Sequence, residues 1–434
     1  MKFGHLHDWL TWQESLHPSK IELGLDRVRE VYLRMGLALP AVVITVGGTN
    51  GKGSCVALLD AILRHAGYRV GSYTSPHLAR YNERVCVDGR AVSDEALMTA
   101  FQQVEDARQG TLLTYFEFGT LAALAVFSAT SPDVLVLEVG LGGRLDAVNI
   151  LDADATLVTT VDLDHAAWLG DDRESIGREK AGIFRTGQVA VYGADDPPQS
   201  VLDAAKTLGA LLWVSGRDYR YRLTPEGWDW ESSEGARTGL PLPRLRGGHQ
   251  VQNAAAVLAV LQRLKDRVPV DQRAVRAGLL SAHLAGRFDV RPGAPTLVLD
   301  VAHNPQAAHA LADNLRRLPR QGRLLAVFGA LADKDVEAVV RPLSGCVEHW
   351  YLGSIAGDRG LGADALVDRA AGIQDGATRF GSVLEAFDAA VAAAAGKDIV
   401  VVFGSFMTVS YTHLTLPTTL NSWGWGGGGS GSGA

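Results

Sequence analysis

The chain has 434 residues, enough for two or three domains with sizeable cores at roughly 150 residues each. Hydrophobic residues make up 47% and charged residues 21%, which excludes a mainly disordered chain. The 41 lysines and arginines against 48 aspartates and glutamates, a net charge of −7, argue against a general nucleic-acid binder. Anions remain possible ligands in local sites built from backbone N–H groups and helix ends. Cys55, Cys86 and Cys346 form no CxxC pair and no metal-ligand spacing, as expected in a reducing compartment. No apolar run reaches the roughly 18 residues of a membrane span, and Met1–Trp12 lacks a signal-peptide core. The expectation is a soluble, cytoplasmic, multi-domain protein without nucleic-acid or membrane partners.

In chain order, Ala41–Gly47 (AVVITVG) reads as a buried β-branched strand. It leads into Gly47–Ser54 (GGTNGKGS), which opens a helix over Gly53–His65. Glycines let the backbone curl around phosphates, the helix N-terminus supplies positive potential, and Lys52 adds a full charge. The strict GxxxxGK[ST] spacing is not met, because Val46 replaces the first glycine and Gly53 separates Lys52 from Ser54. Val70–Tyr73 reads as a strand, followed by Ser75 in a Ser-Pro turn that spacing alone leaves unassigned. A helix over Phe116–Ser128 separates it from strands Asp133–Glu138 and Ala155–Thr160. This alternation predicts a mainly parallel sheet covered by helices. Glu138 and His165 fall at the carboxyl ends of strands, where open α/β sheets bind ligands. A carboxylate and an imidazole beside a triphosphate suit Mg²⁺, which takes few protein ligands.

Lys180 is expected on a helix with Ile176, Ala181 and Phe184 facing the core, and the default reading of the lysine itself is a solvated or salt-bridged charge. Arg217–Glu231 reads as a peripheral hairpin and Gln250–Lys265 as an amphipathic helix. A second, smaller α/β region begins near Arg287. Its strands are expected over Thr296–Asp300, Arg323–Phe328, Val347–Leu352 and Asp398–Phe403, with helices over Pro305–Arg317, Ala363–Ala371 and Ser382–Ala395. Asp300 and His303 sit at the end of the first of these strands, Asn304 reads as a helix N-cap before Pro305, and Arg287 is a cation in the inter-domain stretch. Val409–Ala434, with its Gly/Ser-rich end, reads as a foreign or disordered tail.

Together these residues resemble the folylpolyglutamate synthase/dihydrofolate synthase family of Mur-type ATP-dependent amide ligases, in its bifunctional bacterial form. The matching blocks include GTNGKGS (48–54), TSPHL (74–78), YNERV (81–85), LEVGLGGRLDAVNI (137–150), REKAGIF (178–184), HQVQNA (249–254), DVAHNP (300–305) and DKD (333–335). The resemblance implies a P-loop central domain over 1–286 and a Rossmann-like glutamate ligase domain over 287–408, with 409–434 as tail. It implies that Thr49, Asn50, Gly51, Lys52, Gly53 and Ser54 hold the ATP phosphates, and that Asn253, Arg287 and Asp300 also contact ATP. Ser75, Glu138 and His165 match the Mg²⁺ ligands, two ions being expected, and Lys180 matches a carbamylated lysine. Glu22, Leu23, Gly24, Thr114, Tyr115, Phe116, Glu117, Leu145, Asp146 and Ala147 match segments that bind the pterin. Lys52, Lys180 and His303 are the expected catalytic residues. Met407 departs from the family's closing motif, which usually has histidine there.

The implied reaction joins 7,8-dihydropteroate, and reduced folates, to L-glutamate through an acyl phosphate in a closing inter-domain cleft, by a monomeric enzyme. A Mur-type ligase acting on another carboxylate, and an inactive nucleotide-binding relative, are the competing readings. No guanine-specifying NKxD-like sequence supports a GTPase switch.

Overall fold

The computed structural model describes residues 2–19, 21–39, 42–373 and 377–413. The chain forms two compact units, one up to Leu284 and one from Ala285 on.

The first unit is built on an eight-stranded sheet. Its strands are β1 (Val42–Gly47), β2 (Val70–Tyr73), β3 (Val85–Val87), β4 (Arg90–Ala91), β5 (Val134–Glu138), β6 (Ala155–Val158), β7 (Val189–Tyr192) and β8 (Leu211–Val214). Their order is β4-β3-β2-β5-β1-β6-β7-β8, parallel from β2 to β8, with β3 and β4 added antiparallel at one edge. The mainly parallel α/β expectation is therefore met. Successive side chains of a strand point to opposite faces. Ile44, Val46, Val134 and Val136 pack in one cluster with helices Lys52–His65 and His249–Arg263. Val43, Leu135 and Leu137 pack in another with helix Tyr115–Thr130. Both faces are covered, so β1 and β5 are apolar at almost every position.

Arg217–Glu231 forms the expected hairpin, β9 (Tyr219–Thr224) with β10 (Gly227–Ser232), but it is not peripheral: β11 (Gly235–Leu240) extends it to a three-stranded antiparallel sheet that belongs to the core. Trp228 and Trp230 are fully buried, and the Trp230 indole N–H donates to Ala255 O at 3.1 Å. The alternation of polar and aromatic residues is that of a sheet with one face packed on a helix.

In the second unit the strands are β12 (Asp289–Arg291), β13 (Thr296–Leu299), β14 (Leu324–Phe328), β15 (His349–Gly353), β16 (Ala377–Phe380) and β17 (Ile399–Phe403). Their order is β12-β13-β17-β14-β15-β16, all parallel except β12. Helix Pro305–Arg317 has its expected limits, because Asn304 Oδ1 accepts from Ala307 N at 2.9 Å and Pro305 takes the first helical position.

The tail reading needs correction at its start. Helix Phe406–His413 continues past Thr408, and Val409 and Thr412 are fully buried. A stretch read as foreign tail still carries two buried positions one helical turn apart, which composition does not reveal. Residues 414–434 lie outside the described residues. Ending the chain at Thr408 rather than His413 is expected to destabilise the second unit by about 2–4 kcal/mol through lost burial. Urea unfolding of the two chain lengths checks this, and equal midpoints would contradict it.

Candidate active site

Thr49–Ser54 occupies the carboxyl end of β1, and the helix it opens begins at Lys52. The residues following β6 pin this loop. Thr49 N–H donates to Thr160 O at 2.8 Å, and Asn50 N–H donates to Thr160 Oγ1 at 3.2 Å. The Thr159 hydroxyl donates to Asn50 O at 2.6 Å. Gly48 has φ 138°, and a Cβ on it would lie 1.8 Å from Thr159 Oγ1. Gly51, at φ 88°, is the helix N-cap and brings no capping side chain. The N-terminus of this 14-residue helix thus has no side-chain cap, as an anion site requires. Lys52 curls over the same loop, with Nζ donating to Gly48 O at 3.0 Å and Thr49 O at 3.2 Å.

Beside the loop, Glu138 ends β5 and is buried. Its Oε2 accepts from Ser75 N–H at 3.3 Å and lies 3.7 Å from the Cβ position of Gly53. Two of the three expected metal ligands, Ser75 and Glu138, therefore meet at the start of the Lys52 helix. His165 follows β6 in a left-handed conformation, φ 54°, with Nε2 3.9 Å from Asp164 Oδ2.

Lys180, on helix Arg173–Ala181, is only 4% exposed, so the solvated-charge reading is overturned. Ile176, Ala181 and Phe184 are buried as expected. Burial pushes the Lys180 ammonium down to about 7, the Lys52 cation pushes the same way, and Asp164 and Asp146 oppose them. Lys52, Asp146, Asp164 and Lys180 thus share one electrostatic neighbourhood. Asp146 is itself buried and raised to about 6, first by desolvation, which the N–H groups of Leu141 (2.9 Å) and Val148 (3.0 Å) partly offset.

The three segments matched to the pterin also converge. Thr114 caps helix Tyr115–Thr130 in a box with Glu117, whose Oε2 accepts from Thr114 N at 2.8 Å. Arg27 Nε donates to the same Oε2 at 2.9 Å, and Arg27 also pairs with Glu22 at 2.5 Å. Leu23 and Gly24 follow Glu22 as half-buried residues. Helix Tyr115–Thr130 packs on the short 3₁₀ turn Ala147–Ile150, which Asp146 caps and Leu145 precedes. The Phe116 ring lies 2.6 Å from the Cβ position of Gly140 and 6.0 Å from the Tyr73 ring.

In the second unit, Asp300 is half-buried at the end of β13 and accepts from Phe288 N (2.8 Å) and Ala302 N (2.7 Å). Burial raises its carboxyl, and the Arg287 cation acts against that. The Arg287 guanidinium lies 5.2 Å from the Phe406 ring centre, and the His303 ring 6.2 Å from it. His303 Nδ1 is 2.7 Å from Val301 O. A carbonyl only accepts, so Nδ1 carries the proton and Nε2 is the acceptor nitrogen of the neutral ring.

Known proteins place this arrangement. Residues 46–261 match the model of the Mur ligase middle domain, and residues 286–406 that of the Mur ligase glutamate ligase domain. The dihydrofolate synthase/folylpolyglutamate synthase of Escherichia coli K12 is 46% identical over 407 residues, 94% of each chain. The chain belongs to the dihydrofolate synthase/folylpolyglutamate synthase family. The solved structure of E. coli FolC in complex with DHPP and ADP superimposes with a TM-score of 0.90 at 45% identity, covering 95% of this chain and 97% of that one. A bifunctional folylpolyglutamate synthase/dihydrofolate synthase with Mn, AMPPNP and L-glutamate bound gives 0.88 at 45% identity, covering 95% and 98%.

The donor set fits the divalent ion of this family. Among the described residues no group of three His, Cys, Asp or Glu side chains is arranged to hold a metal alone. A single carboxylate, Glu138, beside the phosphate loop matches an ion that takes most of its oxygen ligands from phosphates and water. Arg27, Asp164 and Gln250 carry much of the local geometry and were not singled out from sequence. Gln250 lies inside the matched block HQVQNA and Asp164 directly precedes the candidate ligand His165, and those positions were the available signal. For Arg27, one of many surface-type arginines, no such signal exists.

Proposed function

We propose that this protein is an ATP-dependent ligase of folate biosynthesis that joins L-glutamate to 7,8-dihydropteroate, and to reduced folates, through an acyl phosphate. The observation that carries this is the Lys52 loop opening a helix against Glu138 and Ser75, in a chain 46% identical to a relative of that name. A free carboxylate resists amines because hydroxide is a poor leaving group. In the first step the substrate carboxylate oxygen attacks the γ-phosphorus of ATP and ADP leaves. In the second the glutamate amine attacks the acyl carbon, the C–O bond to phosphate breaks, and the amine loses its proton.

The chain's part in this is positioning and charge neutralisation. Lys52 and the N-terminal N–H groups of its helix offset charge on the transferred phosphoryl group. Mg²⁺ held by Glu138, Ser75 and His165, with a second ion near Lys180, would supply further neutralisation of phosphate charge. Asn253, Arg287 and Asp300 are assigned to the nucleotide. Glu22–Gly24, Thr114–Glu117 and Leu145–Ala147 are assigned to the pterin. His303 Nε2 is assigned to the phosphate or the incoming amine. We expect a monomer acting in the cytoplasm. Among the described residues no helix is long and apolar enough to cross a membrane.

Lys180 is assigned as a carbamate. Its buried amine, lowered to about 7, is neutral over much of the physiological range and attacks CO₂, forming an N–C bond and releasing one proton. An unmodified Lys180 costs stability below pH 7, and this penalty is relieved as pH rises from about 7 towards the unfolded value. Bicarbonate should therefore raise the activity of CO₂-depleted wild type, faster above pH 7 than below it, and leave Lys180→Met unchanged. Equal responses of the two proteins would contradict the assignment.

The test of function is ADP release with Mg²⁺, ATP, L-glutamate and 7,8-dihydropteroate, omitting each in turn. ADP formation that needs both acceptor and glutamate is expected, and tetrahydrofolate in place of dihydropteroate tests the second activity. ADP release indifferent to the acceptor would overturn the proposal.

A further inference from the structure

Gln250 sits in the first turn of helix His249–Arg263 and is 1% exposed. A buried amide must place two N–H donors and a carbonyl acceptor. Gln250 Nε2 lies 3.3 Å from Ser54 Oγ and 3.0 Å from His249 Nε2, and its Oε1 accepts from Asn253 Nδ2 at 3.0 Å. An amide nitrogen only donates, so Ser54 Oγ and His249 Nε2 both act as acceptors towards it. Asn253, having turned its N–H group to Gln250, presents its carbonyl to the loop. Asn253 Oδ1 is 2.6 Å from the Cβ position of Gly51. The Cys55 thiol, next to Ser54, contacts Asn253 O at 3.8 Å and ties the same two helices. A chain of hydrogen bonds thus runs from Ser54 through Gln250 to Asn253, whose Oδ1 faces Gly51.

We propose that Gln250 is a positioning residue for the nucleotide, setting the polarity of Ser54 and Asn253 without touching ATP itself. By donating to Ser54 Oγ it directs the hydroxyl proton away from helix His249–Arg263 and towards the mouth of the phosphate loop. By accepting from Asn253 it selects one of two amide orientations that would otherwise be nearly isosteric. This rests on the reading of the Lys52 loop as the ATP phosphate site.

The test uses the full chain with Gln250→Leu and Gln250→Glu. The first removes both contacts. The second keeps the acceptor towards Asn253 and replaces the donor towards Ser54 by an acceptor. Both should raise KM for ATP and the Kd of Mg²⁺–AMPPNP about ten-fold. KM for L-glutamate and for dihydropteroate should stay unchanged. In a Ser54→Ala background, Gln250→Leu should cost measurably less than in wild type. A lowered Tm with unchanged KM for ATP in both variants would mean a purely structural role and overturn the proposal. Gln250→Glu behaving as wild type, or full additivity with Ser54→Ala, would overturn the route through Ser54. Wild type failing to bind Mg²⁺–AMPPNP would instead overturn the reading of the loop, a separate result.

Discussion

A Lys52→Met chain is expected to fold normally and to lose about 10²–10³-fold in kcat/KM for ATP, the scale of removing one preorganised charge from a phosphoryl or acyl transfer site. Lys52 Nζ donates to Gly48 O and Thr49 O, so its position is set by the loop it serves. Those two carbonyls lie at the rim of the loop, and a phosphate in its mouth would compete for the same ammonium. Methionine keeps the length and the apolar stem but removes the charge, so packing against the loop survives. The loss should appear in kcat more than in KM, because charge on the transferred group is greatest in the transition state. Steady-state ADP release and circular dichroism decide it. A folded Lys52→Met protein with wild-type kcat would remove Lys52 from the mechanism and leave the helix N-terminus as the main source of positive potential.

Gly48→Ala is expected to be the most damaging single-methyl change in the loop. Its Cβ would lie 1.8 Å from Thr159 Oγ1 and 3.0 Å from both Thr159 Cβ and Thr159 N, so rotating one side chain cannot relieve the contact. At φ 138° the backbone conformation is itself unfavourable for alanine. Overpacking and backbone strain together should destabilise the first unit by about 2–5 kcal/mol. Thr159 also holds Asn50 O at 2.6 Å, so displacing it loosens the loop and should raise KM for ATP in whatever folds. Thr159→Ala alone loses that hydrogen bond. Combined with Gly48→Ala it also removes the closest clash, so the pair should be less destabilised than the sum of the two single changes. Thermal unfolding and KM for ATP across the four proteins check this, and strict additivity would show that the clash is absorbed elsewhere.

Much of the site was legible from the chain because its chemistry is local. GGTNGKGS, LEVGLGG and DVAHNP each put glycines, a charge or a capping residue at the end of an apolar β-run, and a strand followed by a helix turns such a run into a ligand-facing loop. Asn304 and Pro305 specify a helix start by themselves, and the observed helix begins there. Other features depend on partners distant in sequence. Trp228 and Trp230 read as aromatics of a peripheral hairpin until packing with helix His249–Arg263 makes them core. Val409 and Thr412 read as tail residues until the helix that carries them buries them.

The sequence by itself determined the α/β class, the two Gly-rich and acidic strand ends of the first unit, the helix cap of the second, and the family. Those follow from periodicity, turn chemistry and motif order, which act over a few residues. Only the tertiary structure decided that Lys180 is buried within the field of Lys52, Asp146 and Asp164, that Ser75 meets Glu138 at the loop, and that Gln250 joins Ser54 to Asn253. Burial and the field of neighbouring charges set a lysine's protonation, and hydrogen bonds set an amide's orientation. Both are properties of residues that only folding brings together.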